Sequence, residues 1–280
     1  MAPSASLVDL LRRHDRDRYL CALFVPADRR AALIALYAFN FEIAKTRDVV
    51  SEPLLGQIRL QWWREALDEA YRGDPVRDHE VMAPLAAAIR RHDLSRVHFD
   101  AMIGARERDL SDEPPASLAA LEDYCGATSG GLQQLALEIL DARSEEAAEA
   151  AREVGIAYAL AGLIRAIPYH ARARRHVIPT EIAAEVTLDL DTLFELKATP
   201  SLAAAVARMA ERAGQHLASA RSRRRGLPSA ALPALLPARV ASGYLADIGA
   251  VHGNVFDPRL AAGSARTVFR LAAGALTRRF

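Results

Sequence analysis

Residues 29–50 read RRAALIALYAFNFEIAKTRDVV, and the reading of this stretch decides the fold. Leu33, Leu36, Tyr37, Asn40 and Ile43 recur at helical spacing, so the segment predicts a helix with an apolar stripe, opened by Pro26 and capped by Asp28. Val49-Val50 extends the apolar run to Ser51-Glu52-Pro53, where the proline disfavours helix at the residue before it.

The same pattern repeats on both sides. Ser6–His14 forms a short amphipathic helix upstream, and Leu54–Tyr71 follows downstream, closed by Gly73-Asp74-Pro75. Met82–His92 and Ser95–Leu110 come next, then a Pro114-Pro115 break. Ser117 opens a helix through Tyr124, and the small-residue run Gly126–Gly131 leads into Leu132–Leu140. Glu145–Ile167 is a long alanine-rich helix expected to stop near Pro168. Residues 201–225 and 237–252 supply two more helices, and Ser264–Phe280 a basic amphipathic one. Alanine and leucine dominate, β-branched residues are sparse and no Asn-Gly hairpin signal occurs. The expected class is all-α. Neither a repeat nor a long linker divides the chain, so residues 1–280 read as one domain with 264–280 as its C-terminal helix.

Composition sets the outer limits. The chain is 51% hydrophobic and 25% charged, enough apolar surface for a sizeable core. Cys21 and Cys125 form no disulfide framework and lack metal-ligand spacing, which suits a reducing compartment. The N-terminus MAPSASLVDLLRRHDRD has no signal-peptide core. The most apolar stretch, Ala31–Phe41, falls short of the roughly 20 residues that span a bilayer. The expectation is a protein neither exported nor integral.

Charge is divided along the chain. The net charge is +1, yet residues 154–280 hold 17 Lys/Arg against 8 Asp/Glu. No carboxylate occurs between Glu211 and Asp247 or after Asp257. That asymmetry suits an anionic partner, whether phospholipid, diphosphate or an acidic protein, or it is a solvated helical face; both readings stay open. Arg165, His170, Arg172, Arg174 and Arg175 form the densest basic cluster, either an anion clamp or a solvated loop. Lys45 lies three residues from both Glu42 and Asp48, the spacing of a helical ion-pair ladder, with a residual metal site as the alternative. Trp62 and Trp63 cannot both face a core, so one is expected to pack and the other to sit at a rim. Asp189 and Asp191 read as capping or surface residues. The histidines lack zinc spacing, and no Ser-His-Asp set or nucleic-acid motif is present.

Several strings resemble the squalene/phytoene synthase family over nearly the whole length. They are Ala35-Leu-Tyr-Ala-Phe39, the run Tyr124–Gly131, Gly155–Arg165 with Val177-Ile-Pro179, the helix Ala207–Ala220, and Tyr244-Leu-Ala-Asp-Ile248. The resemblance implies an isoprenoid-synthase bundle around a central cavity, with two aspartate-rich motifs facing each other and holding magnesium against a diphosphate. Hard divalent cations need clustered carboxylates for that task. Here the first motif reads Ala44, Lys45, Arg47, Asp48, with Phe41 in place of an arginine. A shifted alignment keeps Asp48 and Glu52 instead. The second motif reads Arg165, Ala166, Tyr169, His170 and has lost every carboxylate.

Other strings are similar to the complex I assembly factor 6 group, a non-catalytic branch. They include Phe39-Asn-Phe-Glu-Ile-Ala-Lys45, Asp48–Pro53, Gln57–Trp63 and Arg165-Ala-Ile-Pro-Tyr-His170, in the same order. That resemblance implies a pseudoenzyme that helps assemble respiratory NADH:ubiquinone oxidoreductase at the inner membrane. It implies no catalytic residue, no metal and no cofactor, with complex I subunits or assembly intermediates as partners. Absence of a targeting peptide and the alanine/arginine bias suggest a bacterial protein, cytoplasmic or peripheral on the inner face of the inner membrane. Two alternatives remain: a prenyl-diphosphate transferase, with magnesium or with arginines taking part of its role, and a carrier of isoprenoid or anionic lipid.

Overall fold

The computed structural model describes residues 3–260, 265–277 and 279–280; the side chains of residues 265 and 266 lie outside that description. All its regular elements are helical. The α-helices are α1 (Ala5–His14), α2 (Arg16–Ala22), α3 (Ala27–Ala44), α4 (Thr46–Val49), α5 (Pro53–Arg72), α6 (Met82–His92), α7 (Arg96–Arg106), α8 (Leu118–Cys125) and α9 (Gly131–Ile139). They continue with α10 (Glu145–Arg172), α11 (Thr180–Glu185), α12 (Leu190–Phe194), α13 (Pro200–Ser222), α14 (Leu232–Leu235), α15 (Pro237–Ala250) and α16 (Ala265–Thr277).

Two of these helices are central because their sequences are apolar on every side. In α3 every residue from Leu33 to Asn40 is buried, so the expected single stripe is instead a helix enclosed all round. It packs against α1, α6 and α9. The second is α10, which packs most extensively against α13 and α15. Among the described residues α10 is the one helix long and apolar enough to cross a bilayer. Half of its most apolar window is buried, so that apolarity serves packing in the bundle. The expectation that no stretch is long enough fails here, because alanines lengthen the apolar run without widening it.

Caps and breaks follow local chemistry. Ser117, Ser144 and Thr199 accept hydrogen bonds from the backbone N–H of Ala120, Ala147 and Leu202, opening α8, α10 and α13. Asp189 caps α12 through the N–H groups of Asp191 and Thr192, as expected. Asp28 does not cap α3; its carboxylate meets Arg29 at 3.2 Å, and Pro26 holds the cap position. Pro168 does not stop α10, which runs on to Arg172. The proline leaves the Ile164 carbonyl without its helical partner. Ile167 and Ala171 nevertheless stay buried in the same apolar cluster as Ile178 and Ile182, and that packing carries the helix through.

The small-residue run is structural. Gly126–Gly130 forms one π-helical turn between α8 and α9, which makes Leu118–Ile139 a continuous helical rod. The wide turn presses its backbone onto α10. A Cβ built on Gly155 would lie 2.5 Å from the Gly130 Cα and 2.6 Å from the Ser129 carbonyl oxygen. Trp63 is core, and Trp62 is half-buried beneath Arg77, whose guanidinium stands 5.5 Å from the ring centre.

Candidate functional site

The C-terminal ends of the two central helices converge on a cavity of about 560 Å³. Ala44 at the end of α3, with Arg47 and Asp48 of α4, lines one side. Tyr169, His170 and Arg175, at and beyond the end of α10, line the other. Tyr169 Oη donates a hydrogen bond to Asp48 across this gap at 3.0 Å. Ala44, Arg47 and Asp48 therefore face Tyr169 and His170 across the cavity. Lys45 and Ala166 are not in the lining.

Three acids lining the cavity, Asp48, Asp109 and Asp112, are already engaged. Asp48 takes the Tyr169 hydroxyl, so the expected Lys45–Asp48 step of the ladder is absent; Lys45 pairs only with Glu42, at 2.6 Å. Glu42 is 3% exposed and also holds Arg59 at 2.7 Å, which makes it an interior anchor of α3 on α5. Glu52 is exposed at the N-terminal end of α5 and is not in the cavity lining. Asp112 meets Arg47 at 3.1 Å and Arg175 at 3.9 Å. Asp109 accepts from Arg106 at 3.1 Å and from the Tyr124 hydroxyl at 3.0 Å. A magnesium ion bridging a diphosphate needs several free carboxylates. Asp48 stands beside an arginine, an alanine and a histidine instead, and among the described residues no group of three acidic, His or Cys side chains could hold a metal. The residues present do not fit magnesium.

The basic cluster is split by the fold. Arg165 points to a second cavity of about 290 Å³, where its guanidinium lies 3.8 Å from the Tyr244 ring centre and donates to the Leu260 carbonyl at 3.1 Å. Arg172 and Arg174 are exposed, the latter against the Phe194 ring. Only His170 and Arg175 reach the larger cavity. Five residues close in sequence thus point three ways: Arg165, His170 and Arg172 lie on different faces of α10, where each position turns by about 100°, and Arg174 and Arg175 follow its end, with Arg174 at a φ of 52°. Sequence reasoning missed Arg106, Asp109 and Asp112. Their signal was the charged run Arg106–Asp109 just before Pro114-Pro115, which closes the cavity floor.

Burial sets the charge state of the cavity's imidazoles. Desolvation, then the Arg175 charge, lowers His170 below the ordinary value of 6.5, and burial lowers His176 likewise. Burial also lowers His92 and His98. The unfolded chain therefore takes up these protons first. Stability from the neutral rings is full above about pH 6.5 and is lost as pH falls toward the lower folded values. Thermal unfolding followed from roughly pH 7.5 to 5 should show a falling midpoint. His170→Asn should flatten that slope; an unchanged slope in the variant would remove His170 from the account.

The family profile described as "Squalene/phytoene synthase" matches residues 11–266. The chain belongs to the squalene/phytoene synthase family. Within it, the chain is 34% identical to the "NADH dehydrogenase (ubiquinone) complex I, assembly factor 6" of Bos taurus, over 90% of this chain and 76% of that one. The presqualene diphosphate synthase of Rhodopseudomonas palustris is 25% identical over 72% of each chain. A dehydrosqualene synthase crystal structure superposes with a TM-score of 0.85 at 18% identity, covering 98% of this squalene/phytoene synthase family member and 95% of that chain. The all-α isoprenoid-synthase fold is thereby shown. Bovine and bacterial relatives both appear, so the similarities do not support the expected bacterial origin.

Proposed function

We propose that this chain is a non-catalytic member of its family that assists assembly of a respiratory NADH:ubiquinone oxidoreductase, working without magnesium. The observation that carries the proposal is the Tyr169–Asp48 hydrogen bond between arginines. It occupies the one acid left at the two motifs, where diphosphate ionisation would need several. The similarity to assembly factor 6 across 90% of the chain supports the same reading. Its place of work would be the inner face of the membrane that carries the oxidoreductase, with that complex's subunits or intermediates as partners. The anion-binding proposal narrows to His170 and Arg175, beside Arg47. Both central helices end here, and the partial negative charge of helix C-termini already favours cations at these positions.

Deleting the gene in the source organism tests the reading. Assembled NADH:ubiquinone reductase, followed on native gels, should fall, and both the wild-type chain and Asp48→Asn should restore it. Purified protein with magnesium and farnesyl diphosphate should give no head-to-head product. Normal assembly in the deletion, or a squalene-like or phytoene-like product, would overturn the proposal. A product would favour the prenyl-diphosphate transferase alternative, which the relative from Rhodopseudomonas palustris represents.

A further inference from the structure

The C-terminal helix is apolar on the wrong side. Thr267, Leu271 and Gly274 of α16 are buried, a stripe at i, i+4 and i+7 that seats the helix on α15 and α2. Leu271 enters a small cluster with Cys21, Leu236 and Val240. The opposite face of a surface helix is ordinarily polar. Here it carries Phe269, 75% exposed, and Leu276, 86% exposed, with Ala273 exposed between them. Helical spacing allows Val268, Leu271, Ala272, Ala275 and Leu276 to share one face. The structure turns Leu271 inward and leaves Leu276 outside, because α16 docks on the narrow stripe of small residues. Leu20 and Phe24 pack half-exposed on the same small cluster, and Leu23 beside them is exposed, which widens the apolar ground.

Cations border this ridge. Arg270 lies along Gly243 with Asp247 at 3.7 Å, Arg239 packs on Gly274, and Arg221 donates to the Phe280 carbonyl at 2.9 Å. Arg279 is exposed. Ser264, Arg278 and the side chain of Arg266 lie outside the described residues. Asp247 and Asp257 are the only acids after Glu211, and both are paired with arginine.

We propose that α16 and the end of α2 form a docking surface for an anionic phospholipid bilayer, with Phe269 and Leu276 entering the headgroup boundary and the arginines meeting lipid phosphates. The charge pattern selects this occupant. An apolar ridge whose described border is mostly cationic, with Asp247 held by Arg270, matches an anionic interface. A second copy docked through a two-fold would set the same arginines against each other. The other exposed apolar group, Leu54, Leu55 and Ile58 on α5, has Glu52 and Glu65 beside it on the same helix end and face and lacks that match.

Co-sedimentation of the full chain with vesicles tests it, using phosphatidylcholine alone or mixed with phosphatidylglycerol. Binding should require the anionic lipid and weaken with salt. Phe269→Glu with Leu276→Glu should reduce it at least about tenfold. Arg279→Gln should reduce it about fivefold, since a cation at such a surface contributes about one factor of that size. Leu54→Glu with Ile58→Glu should leave it unchanged. Every substituted side chain but one is at least half exposed, and Arg279 stands at the chain end, so circular dichroism should stay that of the parent. Equal binding to neutral vesicles, no binding to either kind, or full binding by the Phe269/Leu276 variant would each overturn the proposal. So would a dimer, seen by ultracentrifugation, that these two substitutions dissolve while vesicle binding is absent. None of these outcomes depends on the assembly role, so the two proposals fail separately.

Discussion

Gly155→Ala should destabilise the protein by about 3 kcal/mol, the upper part of the range for inserting a methyl where none fits. The added Cβ would lie 2.5–2.6 Å from the Gly130 Cα and N and from the Ser129 carbonyl. Those are backbone atoms of the π-turn, so no side chain can rotate away; α10 and the α8–α9 rod must separate. Separation loosens packing along α10 beyond the one residue. Two other helical glycines provide the control. Gly162 on α10 and Gly214 on α13 have nothing within 4 Å of a built Cβ. Alanine at either should stabilise by about 0.5–1 kcal/mol through lower backbone entropy in the unfolded chain. Urea unfolding of the three variants, with unchanged m-values, checks the sign of each. Equal effects at Gly155 and Gly162 would mean that the close approach carries no weight.

The second large effect is expected at Phe39. Its ring stands edge-on to Trp63, with centroids 5.4 Å apart and planes at 82°, and edge-on to Phe99 at 5.3 Å and 72°. All three are at most 1% exposed. Phe39→Ala should cost about 3–5 kcal/mol, the lost transfer energy of the ring plus the cavity left among rigid neighbours. For a chain of this size that lowers the unfolding midpoint by about 10 °C. Phe39→Leu keeps most of the volume and should cost only about 1 kcal/mol. Calorimetric unfolding of the pair separates ring packing from simple burial. A shift of less than about 3 °C in Phe39→Ala would show that α5 and α7 close over the gap.

These two sites differ in how far sequence reading reaches them. Phe39 lies in the Tyr-Ala-Phe string that carries the family resemblance but outside the expected stripe, and it is core because α3 is enclosed on every side. Gly155 also lies in a quoted string, but a glycine in an alanine-rich helix is read merely as tolerated. Its reason is a second backbone, 25 residues upstream, that only the folded chain brings near. The motif positions show the same division. That Ala44, Lys45, Ala166 and His170 carry no carboxylate was legible directly. The bond between Tyr169 and Asp48 was not, because 121 residues separate them.

By itself, the sequence determined the helical class, most helix starts and the family. All of these are local: a side-chain period, a capping serine and a short motif depend on neighbours a few residues away. Tertiary structure alone decided which helix is central, where each arginine of the Arg165–Arg175 cluster points, and which face of α16 stays outside. Those depend on rotation about a helix axis. One residue turns a side chain by about 100°, and the turn a helix adopts is set by what packs against it, which no local pattern states.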